Sequence, residues 1–478
     1  MRTLKLALAA AAAFAFNANA ATSSNGMGDA FAGGSLVPAA GVYQQPVITG
    51  SQPDQQAFHA GGVAACDGCH VMHNASNGAA KSTAGGVAAW SNVTNMYLLQ
   101  GSDQSSTCLI CHSGAKAAGL QFTIADVTTA GTPTNRTPGG DFGWLKQDWK
   151  NSPGQRHGHN VAAADFGMQT DTVLNKGAPG GAWVGGAGKA QFACSSCHDP
   201  HGRYRMVASA SGNGVAFMGP QAANSLPIAA SGSYGEPPVA NQYAVGAYRL
   251  LAGQGYAPIS NPAFPFPNDP PIAVAPGTYN STEATTEVRV AYGTGMSEWC
   301  QNCHTNIHFN SDTRGVGIAG FRHPAGSDAL LAANQISTYN TYVSSGRVNP
   351  ALTDNYTSLV PFEQGKTKTI AQLKANTTAT IISADAGSNV MCLSCHRAHA
   401  SAFDSMVRWD QNATFLTDGV NFTNGATGST SGGAGVARPL AATIAGYYDR
   451  TVGDATGANG TKIGLYQRSL CNKCHGKD

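Results

Sequence analysis

Residues 392–399 read Cys-Leu-Ser-Cys-His-Arg-Ala-His, and this short stretch decides how the whole chain is organised. Its first five residues, with Cys392, Cys395 and His396, form a Cys-x-x-Cys-His motif. The motif recurs at Cys66, Cys69 and His70, at Cys108, Cys111 and His112, and at Cys194, Cys197 and His198. It returns at Cys300, Cys303 and His304 and at Cys471, Cys474 and His475. These six copies use all twelve cysteines. Two thiols at this spacing can form thioethers to the two vinyl groups of one porphyrin, and the adjacent histidine then falls under the iron as its proximal ligand. The pattern predicts six covalently attached c-type haems. A single Cys-x-x-Cys near a histidine also suits zinc or a thioredoxin-like redox pair. Six copies behind an export signal, with no other cysteine, favour haem.

That export signal is residues 1–20, MRTLKLALAAAAAFAFNANA. Arg2 and Lys5 form a charged start, an apolar run follows, and Ala18-Asn19-Ala20 offers small residues for cleavage. The run is too short for a membrane anchor. The expected product is exported through the periplasm to the cell surface or beyond. Charged residues are only 11% of the chain, against roughly 25% in ordinary domains. With 59 glycines and 23 prolines, much turn and coil is expected, with the haems serving as the core. Without residues 1–20 the basic and acidic side chains balance at 26 each, and haem propionates would add negative charge. A nucleic-acid partner is not expected.

Successive first cysteines lie 42, 86, 106, 92 and 79 residues apart, which is no fixed-period solenoid. Residues 21–57 contain neither Cys nor His and read as an irregular N-terminal extension. Residues 58–478 read as one hexahaem unit. Ser211 to Asn241 and Pro262 to Asn280 read as long loops. Helices are predicted over Asp328 to Ser344, Leu440 to Arg450 and Thr369 to Ala375, and at each motif. One strand is predicted at Glu287 to Tyr292.

Eight histidines lie outside the motifs: His59, His73, His157, His159, His201, His308, His323 and His399. Six haems need six distal ligands, so there are enough to close every iron. A bis-histidine iron exchanges electrons but has no vacant position for a substrate. His73, His201 and His399 follow a motif histidine by three residues, and His308 by four. Such pairs lie on one side of a helical turn. Two axial ligands must approach one porphyrin from opposite faces, so each second histidine should serve a different haem from its neighbour. His157 and His159, two apart, are not both expected to be ligands. Met72 and Met391 near motifs, and Trp144, Trp149, Trp183 and Trp299, are read as packing.

Beyond the motifs, long stretches carry a specific likeness. They include FHAGGVAACDGCHVMHN at 58–74, TPGGDFGW at 137–144, CSSCHDPHGRYR at 194–205, TYNSTEATTEVRVAYGTGMSEWCQNCHTNIH at 278–308, FRHPAG at 321–326, CLSCHRAHASAFDSM at 392–406 and YQRSLCNKCHGKD at 466–478. From Phe58 onward the chain resembles the OmcS-type cytochromes: six-haem, outer-surface c-type cytochromes of metal-reducing bacteria that polymerise into extracellular filaments. The resemblance implies a multihaem c-type cytochrome fold, mostly coil and turns with short α-helices and little sheet, wrapped around six haems. It implies distal ligands at His73, His159, His201, His308, His323 and His399, with His59 as a further candidate. It also implies that His73 leaves its own subunit and ligates the fifth haem, on Cys392, Cys395 and His396, of a neighbouring subunit. The extension 21–57 departs from the family pattern.

The leading expectation is electron transfer, not catalysis, along a chain of haems in a head-to-tail filament. Its partners would be outer-membrane electron donors and extracellular acceptors such as metal oxides, electrodes or other cells. The alternatives are a monomeric periplasmic or surface shuttle and, in third place, a multihaem reductase of a small molecule. All six motifs end in His, which weighs against the reductase.

Overall fold

In this computed structural model the described residues are 69–70, 75–76, 79–80, 98–114, 123–127, 132–169, 192–219, 226, 228–258, 263–276, 289–305, 323–344, 347–348, 360–379, 382–418, 421–423, 436–449, 452 and 466–475. The export signal, the extension 21–57, Cys66, His59, His73 and His308 lie outside them.

Seven α-helices occur among the described residues, and the longest have nine residues. They are α1 (Gln104–His112), α2 (Met296–Cys300), α3 (Ala333–Thr341), α4 (Ile370–Asn376), α5 (Cys392–Cys395), α6 (Leu440–Gly446) and α7 (Arg468–Cys471). Four of them end in or just before a motif, and the third motif forms a 3₁₀ turn at Cys194–Ser196. Local chemistry explains these starts. The Asp103 carboxylate accepts from the Ser106 N–H at 2.7 Å and caps α1. Thr369 and Gln372 form a capping box ahead of α4. No described helix is long and apolar enough to cross a membrane.

Sheet is sparse. Arg205–Ala208 pairs antiparallel with Val215–Met218 and, on its other side, with Val245–Gly246. Ile272–Val274 pairs antiparallel with Ala291–Thr294. Two of these strands fall where the sequence reads as loops, at 211–241 and 262–280. They are short apolar runs set among Gly, Pro and Asn, and their partners are chosen by burial, not by local pattern. The strand expected at Glu287 to Tyr292 is displaced: strand pairing begins at Ala291, and residues 287–288 are not described.

The helix expected at Thr369 to Ala375 is present as α4, and the other two are trimmed. Of 328–344, only Ala333–Thr341 is helical. Leu331 is instead tied to the 388–390 segment through its N–H to Ser388 O at 2.9 Å, and Tyr342–Ser344 is a strand. Helix α6 stops at Gly446, because Tyr448 and Asp449 take left-handed φ values of +58° and +57°.

Among the described residues, buried apolar side chains fall into five separate clusters. The largest gathers Trp144, Tyr339, Phe362, Phe403, Trp409 and Tyr447. Motif cysteines lie at the cluster margins: Cys395 and Cys474 pack against the first cluster and Cys303 against another. Trp299 joins that edge and donates Nε1–H to Ala252 O at 2.7 Å. A chain this poor in continuous core is what composition suggests when a large apolar group must fill the space between clusters.

Candidate functional site

Among the described residues, histidines face each other in four pairs. The ring centroids of His70 and His201 are 6.4 Å apart, those of His159 and His304 6.2 Å, those of His198 and His399 6.4 Å, and those of His323 and His475 5.9 Å. Each pair joins one motif histidine to one from outside the motifs. Two imidazoles on opposite sides of one metal ion, each about 2 Å from it, have centroids roughly 6 Å apart. Direct ring stacking would bring them closer. The residues therefore fit an iron held between two axial imidazoles. Interplanar angles of 5° to 84° fit as well, because each ring can rotate about its metal–nitrogen axis.

The pairs cross the chain. His201 follows His198 by three residues but faces His70; His399 follows His396 by three but faces His198. Backbone pairing explains part of this. The His159 N–H donates to His399 O at 2.9 Å, and Gly158 opposes Ala400 in an antiparallel bridge. Two outlying histidines are thus neighbours on paired segments, yet their rings reach different motifs. The 137–144 stretch makes room for them. The His399 N–H donates to Gly139 O at 2.7 Å, and Phe142 stacks on the His399 ring at 4.5 Å. Gly140 has φ +94°, and a Cβ there would sit 1.8 Å from Ala400 O, so only glycine fits.

In three of the paired rings Nδ1 is held by a backbone carbonyl. The distances are 2.7 Å for His159 Nδ1 to Ala398 O, 2.8 Å for His198 Nδ1 to Arg249 O and 2.7 Å for His323 Nδ1 to Pro324 O. His396 Nδ1 lies 2.9 Å from Ser405 O. A carbonyl only accepts, so each of these rings is the Nδ1–H tautomer, which leaves the Nε2 lone pair able to bind a metal. Burial pushes His159 and His198 down to about 4 and His399 to about 3, with the neighbouring histidine adding to the effect at His159 and His399. These imidazoles are neutral near pH 7, the form that binds metal.

His157 behaves differently. It is fully buried, with Nε2 at 2.8 Å from Ser152 Oγ and Nδ1 at 2.9 Å from Trp144 O. Ser152 Oγ also lies in hydrogen-bond contact with the Asp404 carboxylate, and Trp149 packs on the ring at 4.9 Å. Both ring nitrogens are occupied by protein, so His157 is a structural core residue. His112 and His396 belong to none of the four pairs.

The cysteines pack motif against motif. The Cys108 and Cys194 side chains lie against each other, and so do those of Cys300 and Cys392. Ser105, three residues before Cys108, accepts from the Cys194 N–H at 3.2 Å. Ser297, three residues before Cys300, accepts from the Cys392 N–H at 3.0 Å. The second motif thus meets the third as the fourth meets the fifth, a repeated joint that motif spacing does not reveal. None of the described cysteines forms a disulfide.

A buried carboxyl lies beside the second of these joints. Glu363 accepts from Met296 N and Asn389 Nδ2, both at 2.7 Å. Burial, with the nearby Glu298 carboxylate, pushes it up to about 8, so it is neutral at pH 7. The folded-state value exceeds the unfolded one. Stability is therefore greatest below about 4.5 and falls as pH rises towards 8, by a few kcal/mol in order of magnitude. Glu363→Gln should flatten the denaturation midpoint between pH 5 and 8, and an unchanged slope would assign it to other groups.

No protein-family model matches the chain. The sequence is 43% identical over 451 residues to the C-type cytochrome OmcS of Geobacter sulfurreducens, covering 90% of this chain and 96% of that one. The cryo-EM structure of the OmcS nanowires from Geobacter sulfurreducens is similar at a TM-score of 0.71 and 43% identity, covering 88% of this chain and 100% of that chain. The Outer Membrane Cytochrome S filament of the same organism gives 0.69 and 42%, with the same coverage. Paired histidines at metal-bridging distance, Cys-x-x-Cys-His motifs and that extent of identity lead to one conclusion: the chain belongs to the OmcS family of c-type cytochromes, which bind haem c covalently.

Proposed function

We propose that the chain is the repeating subunit of an extracellular filament that conducts electrons through six bis-histidine haems c. The carrying observation is the set of four facing pairs, each made of one motif and one outlying histidine. When bound, haem supplies one-electron exchange between ferric and ferrous iron. The protein attaches each group through two cysteines, fixes the tautomer of its axial imidazoles and closes both axial positions.

His70 and His201 would serve the first haem, His198 and His399 the third, His304 and His159 the fourth, and His475 and His323 the sixth. The second haem, on Cys108, Cys111 and His112, is left with His59 or His308. The fifth, on Cys392, Cys395 and His396, takes His73 from a neighbouring subunit, as the family resemblance implies. The second to fifth sites lie near one another in series. His198 feels His112, His159 feels both His304 and His396, and His399 feels His159. Centres close enough to shift one another's protonation are close enough for electrons to pass between them.

With every iron closed, reduction of a metal oxide or electrode proceeds by outer-sphere transfer, and the protein is a carrier and not an enzyme. Residues 1–20 would direct export through the periplasm, leaving 58–478 as one hexahaem unit with 21–57 ahead of it. Outer-membrane electron donors would deliver the electrons.

Two alanine variants test the ligand assignment. His159→Ala should keep six haems by haemochrome assay but show one high-spin ferric signal by electron paramagnetic resonance (EPR). His157→Ala should stay wholly low-spin and lose roughly 2–4 kcal/mol of stability, from a cavity and stranded polar partners. If both variants gave the same spectrum, the distinction between the two histidines would be wrong.

A further inference from the structure

Among the described residues, six of the nine non-glycine residues with left-handed backbone fall in three consecutive pairs, and two of these pairs lie against haem motifs. Arg249 and Leu250 have φ +48° and +55°; Ser405 and Met406 have φ +60° and +58°. Such conformations are unfavourable for residues with a Cβ and persist only where the surroundings over-determine them.

The two turns meet their motifs through the same bonds. His198 Nδ1–H donates to Arg249 O at 2.8 Å, and His396 Nδ1–H to Ser405 O at 2.9 Å. The next residue along the motif donates to the second turn carbonyl: Asp199 N to Leu250 O at 2.8 Å, and Arg397 N to Met406 O at 2.7 Å. The chain leaving the turn donates back to the second motif cysteine: Ala252 N to Cys197 O at 3.0 Å, and Arg408 N to Cys395 O at 2.8 Å. Leu251 and Val407 then oppose His198 and His396 in antiparallel bridges. The described part of the first motif repeats the register. Leu99 opposes His70, Gln100 N donates to Cys69 O at 2.8 Å, and Leu98 has φ +53°. The turn follows its histidine by about ten residues in one case and about fifty in another, so chain spacing does not impose it. The second motif ends differently: Ser113 donates to Leu109 O and pairs in parallel with Ala125.

We propose that the double left-handed turns at Arg249-Leu250 and Ser405-Met406 are positioning devices that clamp the proximal histidines of the third and fifth haems and set their reduction potentials. Two successive left-handed residues point consecutive carbonyls at one motif. The first takes the ring N–H and the second takes the next backbone N–H, so the imidazole cannot rotate about its side chain. A strong acceptor on Nδ1–H makes Nε2 a better donor and favours ferric iron, which lowers the potential. The inference rests on the proposed ligand roles of His198 and His396.

The test compares substitutions that differ in their tolerance of left-handed backbone. Met406→Ile and, independently, Leu250→Ile place a β-branched residue where it fits worst. Ser405→Gly/Met406→Gly removes the penalty while keeping the turn. Each protein is assayed for haem content, EPR and stepwise potentiometry. The isoleucine variants should retain six low-spin haems while a single haem moves to higher potential with an altered EPR signal. The double glycine variant should match the parent in both. The proposal is overturned if isoleucine variants carrying six haems have unaltered potentials, or if the glycine variant shifts as isoleucine does. In either case a full complement of low-spin haems would leave the ligand assignment standing. A haem lost or left high-spin in the parent protein would instead count against that assignment.

Discussion

Purified His73→Ala protein should carry six haems and form no filaments. The six motifs are untouched, so covalent attachment is unaffected. What disappears is the distal ligand of the fifth haem at every junction. Among the described residues His396 faces no second histidine, although Ser405 O holds its ring in the ligand tautomer at 2.9 Å. On the proposed reading, a ligand from another copy would complete that site. A head-to-tail contact of this kind repeats without closing and gives an open chain of subunits. Each junction would then hold an iron–imidazole bond in addition to buried surface. The variant should elute as a monomer, and one haem in six should be high-spin and bind carbon monoxide when reduced. Filaments of normal length from this variant would sink the idea of ligation between subunits. If the parent protein stayed monomeric with every haem low-spin, the soluble-shuttle reading would take its place.

Asp410→Ala should be the most destabilising single change outside the haem ligands, at about 3–5 kcal/mol. Arg438 is buried to 1% exposure and pairs with Asp410 through Nη1 at 2.5 Å. Its guanidinium lies between Phe403 and Trp149, with ring centroids at 4.7 and 5.0 Å. Asp410 also accepts from the Asn412 N–H at 2.9 Å. Without the carboxylate, a permanent charge remains in an aromatic cage with no counter-ion. Cation–π contact offsets only a part of that cost. Combining Asp410→Leu with Arg438→Met removes both charges and should recover much of the loss, because a well-packed apolar pair can replace a buried ion pair. Guanidinium denaturation of the holoprotein measures both. A double variant no more stable than Asp410→Ala would show that packing, not the stranded charge, sets the cost.

The chemistry of the sites is legible because Cys-x-x-Cys-His encodes geometry within five residues. The pairing of histidines is not legible in that way. His201 lies beside His198 in sequence yet faces His70, and only the folded path of the intervening chain decides it. The sequence argument that neighbouring histidines cannot share a porphyrin says which pairs are excluded and leaves the actual partners open. His157 and His159 look alike in sequence; Ser152 and Trp144, brought in by the fold, separate them. The strands at Val215–Met218 and Ile272–Val274 are hidden in glycine- and proline-rich surroundings. The turns at 249–250 and 405–406 are hidden for the opposite reason: Arg, Leu, Ser and Met give no sign of a left-handed backbone, which is usually marked by Gly or Asn.

The four histidine pairs also have a mechanical meaning. With iron between the rings, each pair becomes a crosslink that closes a span of chain: 70–201, 159–304, 198–399 and 323–475. Each span overlaps the next, so the closures interlock in series from the first motif to the last. Tension applied at the two ends of a subunit then bears on coordination bonds before it bears on the sparse hydrophobic clusters. Such a subunit should resist stretching until an axial ligand dissociates, and on release the same ligand can rebind. A filament so built would yield under load in discrete steps, one iron–imidazole bond at a time.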